Sequence, residues 1–203
     1  MTDDRRPIRT RSQAWVPRLN QWLLKANVKP DDVSAAGIVF AIFAGGCFML
    51  SGYSRWWYLG AAVFIQLRLL CNMMDGMLAI EGKLQSKLGE VYNELPDRYE
   101  DTIIIVCAGY AAGEPAAGWA AALFALMTAY LRRFGASLGT QQYFSGPLAK
   151  PQRMFVLTVA AVAELIFNRH GQILTVAVYI VLFGSLITCL RRRRLIVTEL
   201  LAK

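Results

Sequence analysis

Between Arg68 and Asp101 the chain gathers side chains that offer oxygen: Asn72 and Asp75, then Glu90, Asn93, Glu94, Asp97 and Asp101. Asn72 and Asp75 are three residues apart and share one helix face. Asn93, Asp97 and Asp101 are spaced by four and share another. If the two faces meet, carboxylate and amide oxygens converge on one point. Unpaired carboxylates crowded in this way repel and are costly to strip of water. A hard divalent cation such as Mg2+ removes both penalties and leaves room for phosphate oxygens. Gly76 and Gly89 lack side chains where a substrate or another backbone could come close. The same residues also suit a plainer arrangement, a helix-end network of Asp, Asn, Lys and Arg that only caps and pairs.

The elements that must position these groups are helices in a membrane. The chain has 203 residues, 56% hydrophobic and 18% charged, with mean hydropathy +0.37. Soluble domains average about a quarter charged. Charge crowds into residues 1–32, 81–101, 132–153 and 191–203, with long apolar stretches between. A bilayer core needs about 20 apolar residues of helix. Six segments come close: 33–52, 56–80, 89–113, 116–138, 154–167 and 172–190. The apolar runs are too long and too rich in Ala, Gly and Leu for strands. The expected fold is an all-α membrane protein, one domain over 1–203. Residues 1–32 form a cytoplasmic amphipathic segment, 33–190 a six-helix bundle and 191–203 a basic tail. Within the first segment, Trp15, Leu19, Trp22 and Leu23 recur at helical spacing over 13–26, as in a helix lying in the headgroup plane. Lys29-Pro30-Asp31-Asp32 then starts the first span, with proline and carboxylates in its first turn.

Basic residues orient the bundle. With six spans, nineteen of the 22 Lys and Arg residues fall on the side that holds both termini. Only Arg55 and Arg169 fall on the other side, and Arg68 lies inside the second span. Both termini are therefore expected in the cytoplasm of a bacterial-type inner membrane. The net charge of +8 does not indicate nucleic acid, because the basic residues flank apolar spans. Arg191 to Arg194 are expected to anchor the last span and attract anionic lipid. Trp56-Trp57-Tyr58 fits an interfacial belt on the far side. The four cysteines sit in apolar stretches and read as small buried hydrophobes. The single histidine, His170, excludes a histidine-based metal cage or triad. The first 30 residues lack the short apolar core of a cleavable leader, so the first span is expected to remain as an anchor. Glu164, inside the fifth span, is expected to pair with Arg68.

The stretch Asn72-Met73-Met74-Asp75-Gly76-Met77-Leu78-Ala79-Ile80, then eight residues, then Gly89-Glu90-Val91-Tyr92-Asn93-Glu94-Leu95-Pro96-Asp97 resembles the signature of the CDP-alcohol phosphotransferase family. That signature reads D-x2-D-G-x2-A-R-x8-G-x3-D-x3-D. Every spacing matches, and Asp75, Gly76, Ala79, Gly89 and Asp97 match in identity. Asn72 and Asn93 replace two aspartates and Ile80 replaces the arginine, so the chain resembles a variant subgroup with Asn at the first and third positions. The stretch Val28 to Ser34 is similar to the family's start of the first span.

The resemblance implies a transferase that moves a phosphatidyl group from a CDP-linked donor, such as CDP-diacylglycerol, to an alcohol and releases CMP in phospholipid synthesis. It implies Mg2+ or Mn2+ held by Asn72, Asp75, Asn93 and Asp97, with Asp101 as a compensating ligand one turn on. Asp97 would also take the acceptor's proton. Gly76, Ala79 and Gly89 would line the CDP site. Arg132, Lys150 and Arg153 would hold a phosphorylated acceptor, although the same residues also serve as positive-inside topology signals. A homodimer is implied. A polar cavity is expected between spans two to five, open to the cytoplasm, with lipid tails entering between helices. Three functions stay open: an active transferase, a degenerate member that binds nucleotide or lipid without turnover, and a small transporter or scaffold.

Overall fold

A computed structural model of the chain describes residues 15–82 and 89–203, with side chains in the 89–111 helix described from Glu94 onward. The chain is all-helical over these residues. Seven helices follow in order: α1 (Trp15–Lys25), α2 (Pro30–Leu50), α3 (Trp56–Glu81), α4 (Gly89–Ala111), α5 (Pro115–Ser137), α6 (Lys150–Phe167) and α7 (Gln172–Leu201). Three of them, α2, α3 and α7, are long and apolar enough to cross a membrane. α4 is polar at its start, and α6 carries Lys150, Arg153 and Glu164.

The start of α2 follows from its sequence. Pro30 supplies a preset φ where no N–H is needed, and Asp31 and Asp32 sit at the positive end of the helix. The Lys29 backbone N–H donates to Asp32 Oδ2 at 3.1 Å. α2 packs against both α3 and α4, α5 against α4 and α7, and α6 against α3 and α7. α1 lies against α3, where Val16 joins Met73, Met74, Met77 and Leu78 in a small apolar cluster. The main core is built largely from alanines, with Phe48, Ile65, Ile104, Ile105 and Leu157 filling between them. Gly37 lets Glu100 come close, since a Cβ at this position would lie 2.5 Å from Glu100 Oε1. Gly184 likewise accepts Leu148, which would lie 2.0 Å from an added Cβ.

The outer surface inverts that of a soluble protein. α5 exposes Trp119, Leu123, Leu126, Tyr130 and Phe134, α6 exposes Phe155, Val159, Val162 and Ile166, and α7 exposes Val176, Ile180, Phe183 and Ile187. Each set recurs every three or four residues and forms a continuous apolar stripe. Trp56 and Trp57 are exposed while Tyr58 is buried, so only two of the three aromatics face outward.

Two expectations are corrected. Glu164 does not pair with Arg68. It is fully buried and accepts the backbone N–H groups of Arg169, Ile173 and Leu174 at 3.1, 2.7 and 3.2 Å. A helix start leaves such donors without partners inside the helix, and a carboxylate satisfies them while meeting the positive end of α7. Of the four arginines from 191 to 194, Arg192 is not on the surface. It is buried and donates to the carbonyls of Thr128, Phe144 and Ser145, the last two at 3.1 and 3.2 Å.

Candidate active site

The polar residues of α3 and α4 meet at one end of the bundle and sort into three groups. The first holds the signature residues. Asn72 on α3 donates through Nδ2 to Asp97 Oδ1 on α4 at 2.5 Å. The Lys150 ammonium, at the first position of α6, pairs with the same Asp97 oxygen. Asp75 is 4% exposed and accepts from Ser34 Oγ of α2 at 2.8 Å and from the Gly76 N–H at 2.5 Å. Above Gly76 there is open space, with no atom within 4 Å of an added Cβ. Asn72, Gly76, Ala79 and Ile80 are half-buried, so this edge of α3 is accessible. Gly89 opens α4. The side chains of Asn93 and Glu90, and residues Lys83 and Lys87, lie outside the described residues.

The second group is a network of buried charge one turn deeper, joined to the first where Arg68 Nη2 donates to the Asp97 carbonyl at 3.4 Å and faces Asp97 Oδ1 at 3.7 Å. Arg68 is fully buried and donates through Nε to Glu100 Oε2 at 2.5 Å and through Nη2 to Asp101 Oδ1 at 2.7 Å. Arg153, 1% exposed, donates to Asp101 Oδ2 at 2.8 Å, to Thr128 Oγ1 at 3.3 Å and to the Leu148 carbonyl at 3.0 Å. Two guanidinium groups and two carboxylates cancel. Such charges survive burial only when paired, because each alone costs several kcal/mol, of order 3–5 when one partner is removed.

The third group is the reverse. Glu94 accepts from Arg98 at 2.9 Å, Arg132 at 2.6 Å and Arg133 at 3.0 Å. Arg132 also stacks over the Phe144 ring at 5.0 Å and donates to Gln142 Oε1 at 3.2 Å. One carboxylate faces three guanidinium groups, so this rim of the site carries excess positive charge.

The structure thus brings Asn72, Asp97 and Lys150 into contact, with Asp75 one turn along α3 from Asn72 and Arg132 nearby through Glu94. It sends Asp101 and Arg153 elsewhere. Both Asp101 oxygens are taken by arginines, so it is a buried counter-ion, and Arg153 has no face toward an acceptor. Ser34, Glu100 and Arg192 were missed from sequence. Ser34 has no spacing signal. Glu100 was accessible: an arginine within an apolar span needs counter-charges at its own depth, and Glu100-Asp101 is the acidic pair in the span that returns beside it.

A divalent cation fits these residues in part. Asp75 has carboxylate lone pairs to spare, half-buried Asn72 lies one turn away on the same helix, and the gap above Gly76 admits a ligand. Among the described residues, no three Asp, Glu, His or Cys side chains converge as a metal cage. The donor set suits one hard cation. A hollow of about 360 Å³ lined by Arg55, Tyr58, Asn168 and His170 lies at the other end of the bundle and contains none of these residues.

A helical bundle with apolar outer faces and charge gathered at one end is the build of a membrane protein. Residues 28–190 match the CDP-alcohol phosphatidyltransferase family, and the chain belongs to it. It is 23% identical over 152 residues to the inner membrane protein YnbA of Escherichia coli K12, covering 74% of this chain and 75% of that one. Its fold is similar to the phosphatidylinositol phosphate synthase PgsA1 of Mycobacterium tuberculosis. The similarity to the crystal structure with manganese and citrate has a TM-score of 0.76 at 19% identity, covering 89% of this chain and 88% of that one. The similarity to the structure with CDP-DAG bound has a TM-score of 0.74 at 18% identity, covering 88% and 92%.

Proposed function

We propose that this chain is an integral membrane transferase that moves a phosphatidyl group from a CDP-linked donor, such as CDP-diacylglycerol, to an alcohol, releasing CMP in phospholipid synthesis. The observation that carries this reading is the contact of Asn72 with Asp97 across α3 and α4, beside Asp75 and the open space over Gly76, in a chain of this family. The CDP-DAG bound to the similar synthase supports the donor class.

All of α2 to α7 cross the bilayer in this reading. The apolar stripes of α5 and α6 support it, since in water they would be exposed hydrophobic patches. α1 lies at the cytoplasmic headgroups, with Trp15 and Trp22 exposed, and both termini are cytoplasmic. The working assembly is a homodimer in the bacterial inner membrane.

Asp75, Asp97 and the oxygens of Asn72 and Asn93 hold Mg2+ or Mn2+. A cation bound there neutralises the donor's pyrophosphate and the leaving CMP. Gly76, Ala79 and Gly89 border the cytidine, where any larger side chain would occupy the gap. Asp97 accepts the acceptor hydroxyl's proton. Arg132, with the excess charge around Glu94, and Lys150 hold an acceptor phosphate.

One observation favours the degenerate binder instead: Asp97 Oδ1 is already occupied by the Asn72 amide and the Lys150 ammonium. One assay separates the two. Purified protein is given CDP-diacylglycerol, Mg2+ or Mn2+ and a panel of alcohols, and CMP is followed. The transferase reading expects metal-dependent CMP release that Asp97→Asn abolishes. Binding of the donor with no CMP above that variant rejects it.

A further inference from the structure

We propose that the Lys150 ammonium takes the place of a second divalent ion beside Asp97, so that this chain binds a single divalent cation. The proposal rests on the transferase reading and concerns the same site.

Charge is the first ground. The family signature offers four aspartates, and here Asn72 and Asn93 are neutral, leaving Asp75 and Asp97. Lys150 pairs with Asp97, which Arg68 and Arg98 also face at 3.7 and 3.8 Å, so Asp75 is the one signature carboxylate here without a cation in an ion pair. Among the described residues, the neighbouring carboxylates cannot be lent to it. Glu100 and Asp101 are held by Arg68 and Arg153, and Glu94 by three arginines. One divalent ion suits a site with one such carboxylate. A second would enter against a positive surplus.

Geometry is the second ground. Asn72 turns its N–H toward Asp97, which is the only amide end a carboxylate oxygen accepts. An aspartate at position 72 would place a second negative charge there instead. The substitution at 72 and the lysine at 150 therefore act together: one removes a charge that would call for a metal, and the other supplies a fixed cation for the charge that stays.

Placement is the third ground. Lys150 opens α6, and the residues just before it are pinned. Leu148 fills the gap left by Gly184, and its N–H donates to Thr188 Oγ1 at 3.2 Å. An ammonium is a compact charge with no demand for octahedral ligation, so it can neutralise Asp97 without the carboxylates that a second metal needs.

The experiment counts manganese bound per chain on full-length protein in detergent, from the EPR signal of free Mn2+, with CMP release measured in parallel. The wild type is expected to bind one Mn2+. Asn72→Asp with Asn93→Asp is expected to bind a second, and adding Lys150→Met to that pair should tighten the second ion by at least about tenfold. Two ions of similar affinity on the wild type, with CMP still released, overturn the inference and leave the transferase reading standing. So does a second ion in the double variant that is indifferent to Lys150→Met. No bound Mn2+ and no CMP overturns both. The wild-type count needs no variant to fold.

Discussion

Two polar regions lie one helical turn apart and differ in a single respect, their charge balance. In the deeper one, Arg68 and Arg153 meet Glu100 and Asp101, and the sum is zero. At the rim, Glu94 faces Arg98, Arg132 and Arg133, and Asp75 accepts from the Ser34 hydroxyl and the Gly76 N–H, both neutral donors. Full cancellation holds helices together and leaves nothing to offer a ligand. Imbalance costs stability and is useful only if something charged arrives. The inner network is thus scaffold, and the rim is the surface that the proposed function uses.

Breaking the inner network should have the largest effect. Arg68→Met leaves Glu100 and Asp101 short of a counter-charge in an apolar surrounding, and a loss of about 3–5 kcal/mol is expected. Thermal unfolding in detergent measures it, and a melting point equal to wild type would show that the network is not scaffold. Asp97→Asn should do the opposite: CMP release falls by about 10²–10⁴-fold, the usual worth of a general base, while the melting point barely moves. A variant that melts early but keeps its turnover would erase the distinction between the regions. Gly37→Ala sharpens it from the packing side. The new methyl meets Glu100 Oε1, and a destabilisation of about 1–3 kcal/mol is expected by the same melting measurement. Gly76→Ala has the smallest effect on stability, a gain of at most about 1 kcal/mol, because the methyl enters open space and alanine favours helix. Its cost should appear as weaker binding of the CDP donor in a titration with CDP.

The sequence made some of this legible and hid the rest for physical reasons. The helices are visible because a bilayer demands long apolar runs, and the start of α2 is visible because proline and two aspartates mark a first turn. The meeting of Asn72 with Asp97 follows from residues spaced three and four apart on successive helices. What spacing could not reveal is which cation serves which anion. Arg68 could have answered Glu164 or the Glu100-Asp101 pair, and depth in the bundle decided for the latter. Glu164 lies at the opposite end of its helix, where free N–H groups at the start of α7 claim it. The resemblance implied Arg153 as a ligand for an acceptor, yet it lies one turn deeper than Lys150 and is spent on Thr128 of α5 and Asp101 of α4.

The length of α7 has a consequence of its own. Thirty residues at 1.5 Å each make a rod of about 45 Å, some 15 Å more than the hydrocarbon of a bilayer. The surplus stands beside the link between α5 and α6 and grips it twice. Arg192 holds Phe144 and Ser145, and Glu199 accepts from the Gln141 N–H at 3.2 Å and the Tyr143 hydroxyl at 2.8 Å. A connector that would ordinarily be an easy target for nicking is instead splinted along its length. Chymotrypsin, which cuts after aromatic residues, should therefore spare Tyr143 and Phe144 in the protein in detergent until the last turns of α7 are cut away.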